Sequence, residues 1–177
     1  MTTAALRLGT TPSRTALPDS LRVRSARRGD ARALEALSRP FVRSGALRER
    51  PLSLYATDAP DFLIADAWDG LDGSLDGCLG LRIHPADPIS GRRPTGVLYN
   101  FCVSPHSQGR GVGALLLRAA LAKANEKSLC ALFTATTGGG DLFLKYGFAP
   151  ACASLAPAAW VNSLDPRRNS RLLARVL

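Results

Sequence analysis

The chain opens its ordered part on an alternation of apolar and polar residues, "LRVRSA" (21–26), which predicts a short strand. The period then changes. In "RGDARALEALSRPFVRSGAL" (28–47), Leu34 and Leu37 lie three apart on one helical face, Asp30 stands where an N-cap belongs, and Pro40 is placed to bend or end the helix. A second helical stretch is expected near 52–55. In "DFLIADAWDGLDGSLDGCLGLRIH" (61–84), two apolar runs at 62–68 and 77–84 flank an Asp-Gly-rich turn, the pattern of an antiparallel pair.

A loop at 85–96 leads to "VLYNFCV" (97–103), apolar and aromatic throughout, as a central strand requires. Leu117, Leu121 and Ala124 then recur at helical spacing, which predicts a helix to about Lys127 that packs a stripe on the sheet. "LCALFTAT" (129–136) is the next strand, and a short helix runs from Asp141 to a stop at Gly147. Residues 155–166 form a loop or helical turn, and "NSRLLARVL" (169–177) closes the chain as a strand. Strands followed by helices, with an antiparallel front half and no repeats, imply an α/β or α+β sheet domain.

At 177 residues, 46% hydrophobic and 21% charged, the chain has material for one domain with its own core. That domain is expected at 21–177. The first 20 residues, rich in Thr, Ser and Pro with no acid before Asp19, read as a disordered tail. No apolar run approaches the roughly 20 residues of a membrane span, so no membrane is implied as partner. Cys78, Cys102, Cys130 and Cys152 lie far apart without a C-x-x-C, as reduced, mostly buried thiols of a cytoplasmic protein do. His84 and His106 fall at loop edges with no cysteine or acid at ligand spacing, which argues for exposure and against a metal.

The net charge is +9, carried by 20 arginines and only three lysines. The arginines are scattered, with Arg7, Arg14, Arg167, Arg168, Arg171 and Arg175 near the ends. No basic run is interleaved with aromatics, which speaks against nucleic acid. An anionic small ligand accounts for the charge as well.

"SPHSQGRGVGALLLRAA" (104–120) supplies a place for such a ligand. A helix N-terminus presents unpaired N–H groups and about half a positive charge, and glycines let the backbone approach a bulky anion. Residues 108–113, between a strand and a helix, therefore suit a pyrophosphate, and Arg110 adds a charged donor. No G-K-[ST] ends the glycines, so a Walker loop is excluded. The order G-x-G-x-G also departs from the dinucleotide fingerprint G-x-G-x-x-G, and the only acid near the required spacing, Glu126, belongs to the helix.

Gln108, Gly111 and Gly113, preceded by "VLYNFCVSP" and followed by "DLFLKYGF", resemble the Gcn5-related N-acetyltransferase family, whose motif is Gln or Arg, two residues, Gly, one residue, then Gly or Ala. The resemblance covers 21–177. It implies a single domain with a mixed, mostly antiparallel sheet splayed at its centre and helices on both faces. It also implies acetyl-CoA as cosubstrate and a primary amine as acceptor. On this resemblance the amides of Gln108, Gly109, Arg110, Gly111, Val112, Gly113 and Ala114 hold the pyrophosphate. Phe101, Cys102 and Val103 offer backbone to the pantetheine arm, the Val103 amide faces the acetyl oxygen, and Phe143 borders the thiol.

"SRPFVRSGALRER", "LFTATTGGGDLFLKYGFAP" and "RRNSRLLARVL" are together most similar to the acetyltransferase domain of N-acetylglutamate synthases. This implies the α-amine of glutamate or a related amino acid as acceptor, with Arg50, Arg168 and Ser170 at glutamate-binding positions and Arg39 a weaker candidate. The amino-acid-kinase domain of the long synthases has no room in 177 residues. A homodimer is possible by the same analogy.

Two positions depart from the pattern. Val97 stands where the synthases carry a strand glutamate, and no carboxylate lies between Asp87 and Glu126. Phe143 stands where many relatives place a tyrosine acid. Tyr99 and Tyr146 are the nearest ionisable hydroxyls, each either the acid or a packed aromatic. Cys102 is expected as a buried thiol rather than an acyl carrier, and Trp68 and Trp160 as packing residues. An acetyltransferase for another amine, such as a secondary metabolite or antibiotic, and a non-catalytic acyl-CoA sensor stay open.

Overall fold

A computed structural model of the chain describes residues 22–66, 73–88, 91–138 and 140–177. The expected tail, Trp68 and most of the Asp-Gly turn lie outside these residues. The described chain forms β1 (Arg22–Ser25), α1 (Ala31–Arg43), α2 (Leu52–Thr57), β2 (Phe62–Asp66), β3 (Leu75–His84), β4 (Thr95–Val103) and α3 (Val112–Glu126). It continues through β5 (Ala131–Thr136), α4 (Asp141–Lys145), β6 (Ala149–Pro150), α5 (Ala158–Asn162) and β7 (Arg171–Val176).

The seven strands make one sheet in the order β1-β2-β3-β4-β5-β7-β6. Every neighbouring pair is antiparallel except β4 with β5. A parallel pair needs a crossover, and the 15-residue α3 supplies it. Both faces of the sheet are covered, which explains why β2 reads as an unbroken apolar run. Phe62 and Ile64 face α1 and α2 beside Leu34 and Tyr55, while Leu63 and Ala65 face Leu116 and Leu117 of α3. The stripe expected on α3 is buried, with Leu117, Leu121 and Ala124 all in that core.

Several local expectations are corrected. Asp30 stands at the N-cap of α1 but makes no side-chain cap bond. Its carboxylate instead accepts from the Arg27 amide (2.6 Å) and from the Arg24 guanidinium (2.8 and 3.0 Å), an ion pair that holds it below the usual carboxylate range. Pro40 lies inside α1, which runs three residues past it. The loop-or-turn at 155–166 contains α5 between two 3₁₀ turns, and the two-residue β6, too short to show a period, adds an edge to β7. Of the four cysteines only Cys78 and Cys102 are buried; Cys130 is half-buried and Cys152 exposed. His84, expected to be exposed at a loop edge, is the half-buried last residue of β3.

The centre of the sheet is irregular in one way that matters. Gly80 pairs with Tyr99, but Cys78 pairs with Cys102, so β4 carries one extra residue there. Asn100 absorbs the bulge at φ +48°. Its side-chain amide donates to the Ser38 hydroxyl (2.9 Å) on α1, and its Oδ1 accepts from the Tyr55 hydroxyl (3.4 Å) on α2. Pairing of β4 with β5 ends at Leu98–Thr134, where the Thr134 hydroxyl also bonds the Leu98 carbonyl (3.2 Å). Beyond that point the two strands part.

On β3, the Tyr99 ring lies flat over Gly80, where an added Cβ would fall 2.6 Å from Cζ of the ring. Gly80→Ala must therefore displace the ring, and we expect a loss of about 1–3 kcal/mol in denaturant unfolding. An unchanged midpoint would mean that the ring is free to move.

Candidate active site

The turn between β4 and α3 is built from its anchors. Ser107 is buried at the end of a 3₁₀ turn, and its hydroxyl donates to the Asp76 carboxylate at the start of β3. The Gln108 side-chain amide donates to the Val103 carbonyl (3.1 Å). Gly109 (φ +73°) and Gly111 (φ +85°) take left-handed conformations that suit glycine. Gly111 caps α3 without a side-chain bond, and the first intrahelical amide bond is from Leu115 to the Gly111 carbonyl (3.0 Å). The amides of Val112, Gly113 and Ala114 are thus left for an anion, at the positive end of a four-turn helix. A Cβ at Gly113 would meet Leu142 at 3.2 Å and Phe101 at 3.3 Å, so the helix start sits close against the wall. This open cradle suits an anionic group such as a diphosphate.

Beside it, the parted strands open a cavity of about 750 Å³. Tyr99, Phe101 and Phe143 line it, as do Arg50, Arg168 and Ser170, so the expected substrate positions do meet in one place. The buried Phe143 stands edge-on to Phe101, with ring centroids 5.6 Å apart. The Val103 carbonyl leaves its strand on the side where Gln108 takes it, and within a strand the N–H of the same residue points the same way. Tyr146 does not line the cavity. Its hydroxyl lies 3.4 Å from the Arg118 guanidinium of α3, and its ring packs on the core.

Tyr99 is held on every side. Its hydroxyl donates to Asp61 (3.2 Å), and the guanidinium carbons of Arg50 and Arg82 stand 4.6 and 5.3 Å from its ring centroid. Burial, reinforced by the Asp61 carboxylate, pushes the phenol well above its ordinary value, so it keeps its proton. Cys102 is likewise a neutral thiol. The Cys78 thiol, 3.5 Å away, and burial both raise it, which leaves Cys102 no nucleophilic thiolate.

The cations divide into two kinds. Arg82 bridges Asp58 (2.5 Å) and Asp61 (3.1 Å), and Arg50 reaches Asp58 (3.4 Å), so these charges are largely compensated. Arg168 donates to the carbonyls of Gly45 (2.9 Å) and Ala46 (2.8 Å), and Arg48 to that of Ser163 (2.7 Å). Among the described residues neither has a carboxylate partner. Both lie on the cavity wall, where they strap the α1–α2 loop to the C-terminal segment. Arg39 pairs with Glu35 on the exposed side of α1.

Sequence reasoning did not find Arg48, Arg82, Asn100, Asp58 or Asp61. A signal existed for Asn100, the one amide side chain inside an apolar strand, and for Arg82, two residues from Gly80 on the same face. The aspartates gave none, since their role depends on where a turn lands. Val97 is buried (2% exposed), so the strand position offers no carboxylate. Among the described residues no group of three or more His, Cys, Asp or Glu is arranged to hold a metal, and no helix is long and apolar enough to cross a membrane.

A model of the Acetyltransferase (GNAT) family matches residues 31–148. An amino-acid acetyltransferase of Ralstonia nicotianae (strain ATCC BAA-1114 / GMI1000) is 29% identical over 155 residues, 88% of this chain and 32% of that one. N-acetylglutamate synthase from Neisseria gonorrhoeae, complexed with coenzyme A and N-acetyl-glutamate, superposes with a TM-score of 0.77 at 30% identity, over 89% of this chain and 35% of that one. This chain thus spans about a third of the length of both relatives. Rv2747 from Mycobacterium tuberculosis, in complex with CoA and NLQ, is similar in fold: the TM-score is 0.67 at 22% identity, over 88% of this chain and 98% of that one.

Gly111→Glu puts a side chain on a left-handed residue and a negative charge into the cradle. Calorimetry should show acetyl-CoA affinity reduced at least about 100-fold in a variant that still folds. Unchanged affinity would remove the diphosphate from this loop.

Proposed function

The chain belongs to the acetyltransferase (GNAT) family, and from that premise we propose that it moves an acetyl group from acetyl-CoA to the α-amine of a carboxylate-bearing amino acid, glutamate first among them. The observation that carries the acceptor class is Arg168, a guanidinium on the cavity wall without a carboxylate partner among the described residues. An arginine that has given two of its donors to carbonyls still presents others, and its charge is best balanced by a substrate carboxylate. Arg48 adds a second uncompensated charge, and Ser170 a hydroxyl donor. Arg50 contributes less, because Asp58 already shares it.

Acetyl-CoA supplies the activated acyl group. What the chain supplies is position and charge. The glycine cradle and the open edge of β4 hold the long thioester with its carbonyl toward the Val103 amide, a fixed dipole for the negative charge that develops on that oxygen. The arginines orient the acceptor so that its amine faces the same point. Of the two tyrosines, only Tyr99 lines the cavity, and it is the phenol that keeps its proton. The close pair of free thiols, Cys78 and Cys102, suits a reducing compartment such as the cytoplasm.

Free-thiol release from acetyl-CoA, measured against the twenty amino acids and a panel of amines, tests the reading. Turnover led by glutamate supports it. Turnover on an unrelated amine keeps the chemistry and discards the acceptor, while acetyl-CoA binding with no turnover favours a sensor. Arg168→Ala should raise the acceptor KM about 10–100-fold and leave that of acetyl-CoA within twofold. Equal loss of both would reduce Arg168 to a strap between loops.

A further inference from the structure

We propose that Arg118 binds the 3′-phosphate of coenzyme A and so gives the chain a preference for coenzyme A over its 3′-dephospho form. The assignment rests on the diphosphate reading of the glycine turn. Coenzyme A carries two separate anionic groups: the diphosphate and, across the ribose, a phosphomonoester with nearly two charges at neutral pH. The open amides of Val112, Gly113 and Ala114 suit the first of these. The second needs a cation of its own within reach.

With the pantetheine arm running inward along β4, the nucleotide end is left at the surface, over the outer face of α3. Arg118 is exposed and is the cation of α3 nearest the turn. Ala114 stands one helical turn before it, about 6 Å nearer the N-terminus. Side chains on a helix lean toward that end, so the Arg118 guanidinium covers the turn to which Ala114 belongs. The small Ala114 leaves that approach open. Glu126, the only carboxylate of α3, lies more than two turns further on.

A second element fixes the guanidinium. A Cβ on Gly113 would meet Leu142 at 3.2 Å, and Arg118 Nη1 lies 3.4 Å from the Tyr146 hydroxyl, so α4 runs beside the first two turns of α3. Tyr146 is itself held: its ring packs on the core, and its carbonyl accepts from Arg175 (2.5 Å). Arg118 donates to the hydroxyl oxygen, which leaves the phenol's own hydrogen for an anion. Guanidinium and phenol thus present donors side by side, away from the acceptor cavity, and Arg118 has no carboxylate partner among the described residues. Asp141, the acid of α4, starts that helix at the end away from Tyr146, and the exposed Lys145 adjoins Tyr146 in the chain.

Calorimetry on the full chain, with coenzyme A and with 3′-dephospho-coenzyme A, tests the assignment. The wild type should bind coenzyme A at least about 10-fold more tightly than the dephospho form. In Arg118→Ala, affinity for coenzyme A should fall about 10-fold while that for the dephospho form stays within about twofold. Arg118→Lys, which keeps the charge without the fork, should recover part of the preference. Arg110→Ala should weaken both ligands alike, because both carry the diphosphate. An arginine that merely supports the fold would also move both ligands together, so equal losses in Arg118→Ala would overturn the proposal. A preference that survives in Arg118→Ala and vanishes in Arg110→Ala would do the same. So would a wild type that binds the two ligands equally, and the diphosphate reading would then stand. A wild type that binds neither would overturn that reading and this proposal with it.

Discussion

The site depends on one distorted residue. Asn100 holds a left-handed conformation in the middle of a central strand, a cost of about 1–2 kcal/mol for a residue other than glycine. Its side chain offsets that cost through bonds to α1 and α2, at Ser38 and Tyr55, inside a core where an unmet amide would be costly. Because the bulge is locked from that face, β4 turns away from β5 just after the last paired residues, Leu98 and Thr134. A regular sheet would have filled the gap with hydrogen bonds. Here it leaves a cleft with free backbone along one wall.

The glycine turn, the free backbone and the arginines are then disposed around that cleft. The chain leaves β4 through a glycine turn into α3, so a helix N-terminus opens beside the strand that carries the free backbone. The α1–α2 loop and the C-terminal segment close the far side, held together by Arg48 and Arg168 across main-chain carbonyls. A guanidinium has five donors, so straps that reach one carbonyl from Arg48 and two from Arg168 still leave charge at the cavity wall. Arg50 and Arg82 differ because Asp58 and Asp61 balance them, and their stacking fixes the Tyr99 ring over Gly80.

Much of this was legible from the chain alone. The glycine spacing at 108–113, set between an apolar strand and a helix, pointed to this turn because the motif is local: its glycines act through their own backbone, and Gln108 reaches back only to Val103. The central strand and the stripe on α3 were visible for the same reason. What could not be read were the long-range pairings. Asp30 looks like a cap until Arg24 is brought beside it. The splay of β4 from β5 is a property of two strands and a buried amide network, and no window of sequence contains all three.

A crystal structure with coenzyme A and N-acetyl-glutamate would test the central claim most directly. The account predicts the diphosphate on the amides between Gly109 and Ala114, the pantetheine arm along β4 from Phe101 to Val103, and a product carboxylate at Arg168. Coenzyme A seated away from the parted strands, or a product carboxylate that leaves Arg168 untouched, would contradict it.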